Sequence, residues 1–182
     1  MICRRLHLVI ALLLPLVVNG AEHMHEPAPA MQSKPVKAGD LTISGAWARA
    51  TVPGLDTTAA YLTIRNHGKQ ADTLLGVTSP AAGMAAIHRT TRQAGVSHME
   101  PAGDVGIAAG QTVDIEPGGL HIMLTSLKQP LAAGTQMPLT LHFRHAGAVT
   151  VQVQIVPVTA AAPADMDHDI SVRDHSARGA PP

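Results

Sequence analysis

The chain carries 11 His and 8 Met against a single cysteine, Cys3. Imidazole is the commonest metal-binding side chain, and thioether sulfur is a soft donor that suits Cu(I). The segment Leu120-His121-Ile122-Met123-Leu124 concentrates both. In an extended strand, side chains alternate between faces. Leu120, Ile122 and Leu124 would then line one face, and His121 and Met123 would share the other. Their bases would stand about 7 Å apart, close enough for two long side chains to meet one ion. An ordinary strand with a gap-filling Met123 and a solvated His121 would read the same way. Two more residues join the pair. His88 lies in Ala86-Ile87-His88-Arg89, where Ile87 would face inward and His88 outward. Met99 ends Val96-Ser97-His98-Met99, just before Pro101. Alone, each reads as an exposed histidine and a core methionine. Together they give a spacing of His88, ten residues, Met99, twenty-one residues, His121, one residue, Met123.

The other histidines and methionines carry weaker signals. His98 adjoins Met99 and should point to the opposite face, exposed or behind the site. Met84 and Met137 read as core or edge residues, and His67, His142 and His145 as solvated turn residues. His23 and His25 stand near the start of the secreted chain, where a free amine, backbone amides and an imidazole can chelate Cu(II). His168 and His175, among the aspartates of the C-terminal tail, could collect Cu(II) likewise; a plain solvating tail reads the same way.

The elements that would position these residues have a period of two. Val149, Val151, Val153 and Ile155 alternate with Thr150, Gln152 and Gln154; Leu139, Leu141 and Phe143 alternate with Thr140 and His142. Further strands are expected at 61–66, 73–78, 84–90, 96–100 and 113–115. Turn signals such as Gln93-Ala94-Gly95, Pro101-Ala102-Gly103, Glu116-Pro117-Gly118-Gly119 and His145-Ala146-Gly147 separate them. Short strands at this spacing, with no helical stretch between them, predict an all-β antiparallel sandwich or barrel. One domain is expected over 40–158, after a flexible lead at 22–39 and before a disordered Ala/Pro/Asp tail at 159–182.

Residues 1–21 read as a secretory signal. Arg4 and Arg5 precede an apolar run from Leu8 to Val18, and Gly20 or Ala21 offers the cleavage site. The run is too short for a membrane span of roughly 20 residues, and no later segment would span a bilayer. Cys3 leaves with the signal, which excludes disulfides, thiol nucleophiles, Cys-ligated zinc and a thiolate blue-copper site in the mature chain. Charged residues are 14% and cancel to a net charge of zero, so the basic stripe of a nucleic-acid binder is missing. The reading is a secreted chain with one domain of ordinary size, expected as a monomer.

The four-residue spacing resembles the metal-binding signature of the PCuAC family of periplasmic copper chaperones, His (or Met)-x10-Met-x21-His-x-Met, at all four positions. Gly45 to Thr51, Ala59 to Asn66 and Pro117 to Leu124 are also similar to that family's recurring segments, and the likeness runs over most of 40–158. The resemblance implies a cupredoxin-like Greek-key β-sandwich and a Cu(I) site formed by His88, Met99, His121 and Met123. It also implies an acceptor: the copper centre of cytochrome c oxidase subunit II, reached directly or through a Sco-type copper chaperone.

Three functions follow as expectations. The first is a carrier that takes up Cu(I) at a surface His/Met site, with its ligands exposed on a sheet face, and surrenders it by ligand exchange; four neutral ligands leave the ion's charge uncompensated and so favour moderate affinity. The second is copper sequestration with Cu(II) capture by the tails, which shares the site and differs in partner. The third is an enzyme, for which no Ser-His-Asp order, HExxH or GxSxG appears. The expectation is therefore a non-enzymatic copper chaperone.

Overall fold

The period-two pattern becomes eleven strands. The computed structural model describes residues 33–159, and no helix occurs among them. The strands are β1 (Val36–Ala38), β2 (Leu41–Arg49), β3 (Thr58–Asn66), β4 (Asp72–Thr78), β5 (Ala82–Gln93), β6 (Val96–Pro101), β7 (Val105–Ile107), β8 (Thr112–Ile115), β9 (Leu120–Leu127), β10 (Gln136–Phe143) and β11 (Gly147–Val156).

Two sets of strands form the layers. The first runs β6-β5-β9-β8-β3-β2, with β1 added on β2; the second runs β11-β10-β4-β7. They meet where β2 and β11 pair in parallel, through Trp47–Arg49 against Gln154–Val156. The apolar faces fold onto each other. Ile43, Leu62, Ile64, Ile122 and Leu124 from the first layer join one core with Leu74, Leu139, Leu141, Phe143, Val151 and Val153 from the second. With aromatics at 2% of the chain, burial of branched aliphatic side chains supplies most of the driving force, about 25 cal/mol per Å² of apolar surface.

The site depends on one register. β5 and β9 pair antiparallel residue by residue from Met84↔Thr125 to Arg89↔Leu120, with Ala82↔Leu127 beyond. Ile87 and Ile122 form one pair and Ala85 and Leu124 another, facing the core. The alternate pairs, His88↔His121 and Ala86↔Met123, face away from it.

Three strands depart from the sequence reading. β2 hides from a period-two scan because its register shifts between Ser44 and Trp47, beside Gly45 at a φ of +59°. An extra residue in one strand reverses which side chains face inward, so Ala46, Trp47 and Ala48 are all buried. β7 is only three residues long. The expected lead ends earlier than 39, since Val36–Ala38 pair with β2 and the Ala46 amide donates to the Ser33 hydroxyl at 2.8 Å.

Candidate metal centre

His88, Met99, His121 and Met123 share one face of the first layer. His88 on β5 lies directly opposite His121 on β9, and Met123 lies opposite Ala86, diagonal to His88. The two imidazole centroids are 5.9 Å apart and the rings meet edge to face at 61°. On the edge strand β6, Met99 pairs with Thr90 and Pro101 with His88. Met99 therefore falls on the His88 face, diagonal to it, while His98 pairs with Thr91 and turns to the other side.

The face is less open than expected. His121 is only 4% exposed and Met123 is half-buried, whereas Met99 is 58% exposed. His121 is covered because β9 is an inner strand, with β5 on one side and β3 on the other. Beyond the last registered β3–β9 pair, Ala60↔Ile122, the next residues are Tyr61 and His121 on the outer side. Tyr61 in turn pairs with Trp47, and their rings stack at 4.5 Å. Burial raises the Tyr61 hydroxyl above its ordinary pKa of 10.0, and the nearby Arg49 charge only partly offsets this, so the phenol is neutral at physiological pH.

Hydrogen bonding fixes the form of His121. Its Nδ1 lies 3.2 Å from the Gly119 carbonyl. A carbonyl can only accept, so Nδ1 carries a proton, and in the neutral ring Nε2 then keeps its lone pair. That Nε2 is buried with no hydrogen-bond partner among the described residues, and so is Nδ1 of His88. Buried polar atoms are normally paired, and leaving one unpaired costs about 1–3 kcal/mol. The two unpartnered nitrogens lie on neighbouring rings, one on each of two paired strands, where a bound cation would satisfy both. The same Gly119 carbonyl accepts from the Thr90 amide at 3.1 Å, which ties β5 beyond His88 to the turn that orients His121.

The thioethers are set apart from the core. Of the four methionines among the described residues, Met137 is the core member at 3% exposure. Met84, read from the sequence as a core or edge residue, is 64% exposed. No group of three or more His, Cys, Asp or Glu gathers in metal-binding fashion among the described residues, so the donors assembled here are two nitrogens and thioether sulfur. This set suits a soft monovalent cation over Zn(II) or Mg(II).

Sequence reasoning missed the Gly119 carbonyl and the Tyr61–Trp47 wall. The carbonyl has no side-chain signal, while Tyr61 and Trp47 were visible as letters but needed the register to be placed. His23, His25, His168 and His175 lie outside the described residues, as do the signal segment and the tail.

Known proteins resemble this chain in sequence and in fold. Residues 41–155 match the family model described as putative lipoprotein LpqE-like. A putative lipoprotein of Leifsonia xyli subsp. xyli is 36% identical over 133 residues, covering 72% of this chain and 78% of that protein. Among solved structures, the apo PCuAC domain from PmoF1 matches with a TM-score of 0.59 and 27% identity, over 68% of this chain and 99% of that one. The solution structure of Cu(I)-bound DR1885 from Deinococcus radiodurans matches with a TM-score of 0.53 and 28% identity, over 68% of this chain and 80% of that one. The fold is the cupredoxin-like sandwich of these domains, and the chain belongs to the PCuAC-related LpqE-like family.

Proposed function

We propose that this protein is an extracytoplasmic Cu(I) carrier that holds its cargo through His88, Met99, His121 and Met123 and surrenders it by ligand exchange. The observation that carries the reading is the pair of unpartnered nitrogens, His88 Nδ1 and His121 Nε2, on rings 5.9 Å apart. A metal–nitrogen bond of about 2 Å, extended to each ring centre, places two imidazoles on one ion with centroids about 5–6 Å apart. Met123 lies two residues from His121 and diagonal to His88 on the same face, and Met99 lies diagonal to His88 on the edge strand.

Two relatives support the reading. DR1885 is similar to this chain and its structure contains Cu(I). The Leifsonia relative is named as a putative lipoprotein, which suits an extracytoplasmic carrier and agrees with the signal-like start of the sequence. The acceptor we propose is the copper centre of cytochrome c oxidase subunit II, directly or through a Sco-type chaperone. The role is carriage, with no catalytic step.

An anaerobic competition titration of the full chain against a chromophoric Cu(I) chelator tests the site. One equivalent should bind, and the Met99→Leu, Met123→Leu double variant should lose it with the fold intact by circular dichroism. Unchanged Cu(I) affinity in that variant would sink the assignment. Oxidase activity under copper limitation, compared in a deletion strain and its parent, tests the acceptor.

A further inference from the structure

Met84 belongs neither to the four-residue set nor to the core. It stands on β5 four residues before His88, and therefore on the same face. Its direct partner on β9 is Thr125, while Ala86 lies opposite Met123. Met84 and Met123 are thus diagonal neighbours, about 7 Å apart and within reach of each other's side chains. On β5 the methyl group of Ala86 is all that stands between Met84 and His88 on this face. At 64% exposure, Met84 is the most exposed of the large hydrophobic side chains among the described residues. Burying such a side chain favours folding, and here that gain is forgone beside the His88 and Met123 face.

Accessibility gives the position a consequence. The free nitrogens of His88 and His121 are buried, so an incoming acceptor ligand cannot reach an ion from their side. Met99 and Met84 are the exposed thioether residues of this face, at 58% and 64%. They flank the pair of imidazoles from opposite directions along the sheet, with Met123 common to the inner site and to Met84.

Resting on the reading of this face as a Cu(I) site, we propose that Met84 is the outward thioether of the transfer path, onto which Cu(I) moves through Met123 as it leaves. The bond to the Met99 sulfur breaks as the bond to the Met84 sulfur forms. Copper remains Cu(I), both thioethers are neutral, and neither electron nor proton moves. Met84 then governs how fast the ion departs and contributes little to how tightly it is held.

The test is an anaerobic Cu(I) titration of the full chain labelled with ¹³C at its methionine methyls, followed by NMR through two equivalents. The Met99 and Met123 methyls should shift with the first equivalent, the Met84 methyl should shift or broaden as exchange begins, and Met137 should stay fixed as a reference. In Met84→Leu, transfer of Cu(I) to a bicinchoninate chelator should slow several-fold while equilibrium affinity stays within about twofold of the parent. A fixed Met84 methyl beside shifting Met99 and Met123, or a parental transfer rate in Met84→Leu, overturns the role of Met84 and leaves the four-residue site standing. Fixed methyls at all three positions overturn the site itself.

Discussion

His121 owes its metal-ready form to one carbonyl. The Gly119 oxygen holds the Nδ1 proton and leaves Nε2 free, as the outer partners of metal-binding histidines commonly do. That oxygen is aimed by the Pro117-Gly118-Gly119 turn, in which Gly118 has a φ of +87° and the Gly119 amide donates to Glu116 O at 3.1 Å. A side chain at Gly118 is strained at this φ, by roughly 1–2 kcal/mol. Gly118→Ala should therefore lower stability by about that amount and displace the Gly119 carbonyl. Lost outer partners typically cost 10–100-fold in metal affinity, and a Cu(I) competition titration should show a loss in that range. Met123→Leu isolates the sulfur instead. A volume-conserving swap costs less than about 1.5 kcal/mol, so its midpoint in denaturant should barely move. Its Cu(I) affinity should fall by at least about tenfold, the lower end of what losing an outer partner costs.

The element that delivers Met99 is a two-stranded arm. β5 has β9 beside it only as far as Arg89, while β6 pairs with His88 through Gln93. The outer half of the hairpin thus projects past the sheet, and every residue of β6 is exposed. Its loop is Ala94-Gly95, with φ values of +48° and +83°. A two-residue loop with both φ values positive matches the twist of the strands and strongly favours Asn-Gly. Ala94 meets the requirement with a side chain poorly suited to it, which weakens the arm. Ala94→Asn should stabilise the hairpin by on the order of 1 kcal/mol. Hydrogen exchange of amides from Val96 to Met99 should slow about fivefold, the same quantity expressed as an opening equilibrium. An unchanged exchange rate would mean that the arm opens independently of its turn.

At the scale of the whole molecule, the sequence was legible wherever a local rule governs and illegible where distant strands do. Alternation identified the strands bearing His88, His121 and Met123, because one buried face leaves a period of two. It could not show that β9 lies inside the layer, and so His121 was expected to be exposed when it is 4% exposed. Asp72 was silent for the same reason, since two of its three partners lie some seventy residues away. Its buried carboxylate accepts from the Thr73 amide at 2.7 Å and from the His145 and Ala146 amides at 2.9 Å, clamping β4 to the β10–β11 turn in the layer that does not carry the site. Burial pushes the Asp72 carboxyl up, but those three amides and the His145 charge outweigh it and hold the pKa below the ordinary 3.8. A carboxyl depressed in the folded state stabilises the protein above its unfolded pKa, and that contribution is lost as pH falls through the lower folded value. Hydrogen bonds to a charged group are worth about 1.5–3 kcal/mol. Asp72→Asn should therefore unfold more easily than the parent at neutral pH by roughly 2 kcal/mol. The gap should narrow once pH drops below about 3.8 and close below the folded pKa. Chemical denaturation from pH 7 to pH 2 measures it. A gap independent of pH would show that the clamp acts through packing and leaves the charge without a role, while Cu(I) affinity at neutral pH should be the same in both proteins because the clamp and the site occupy different layers.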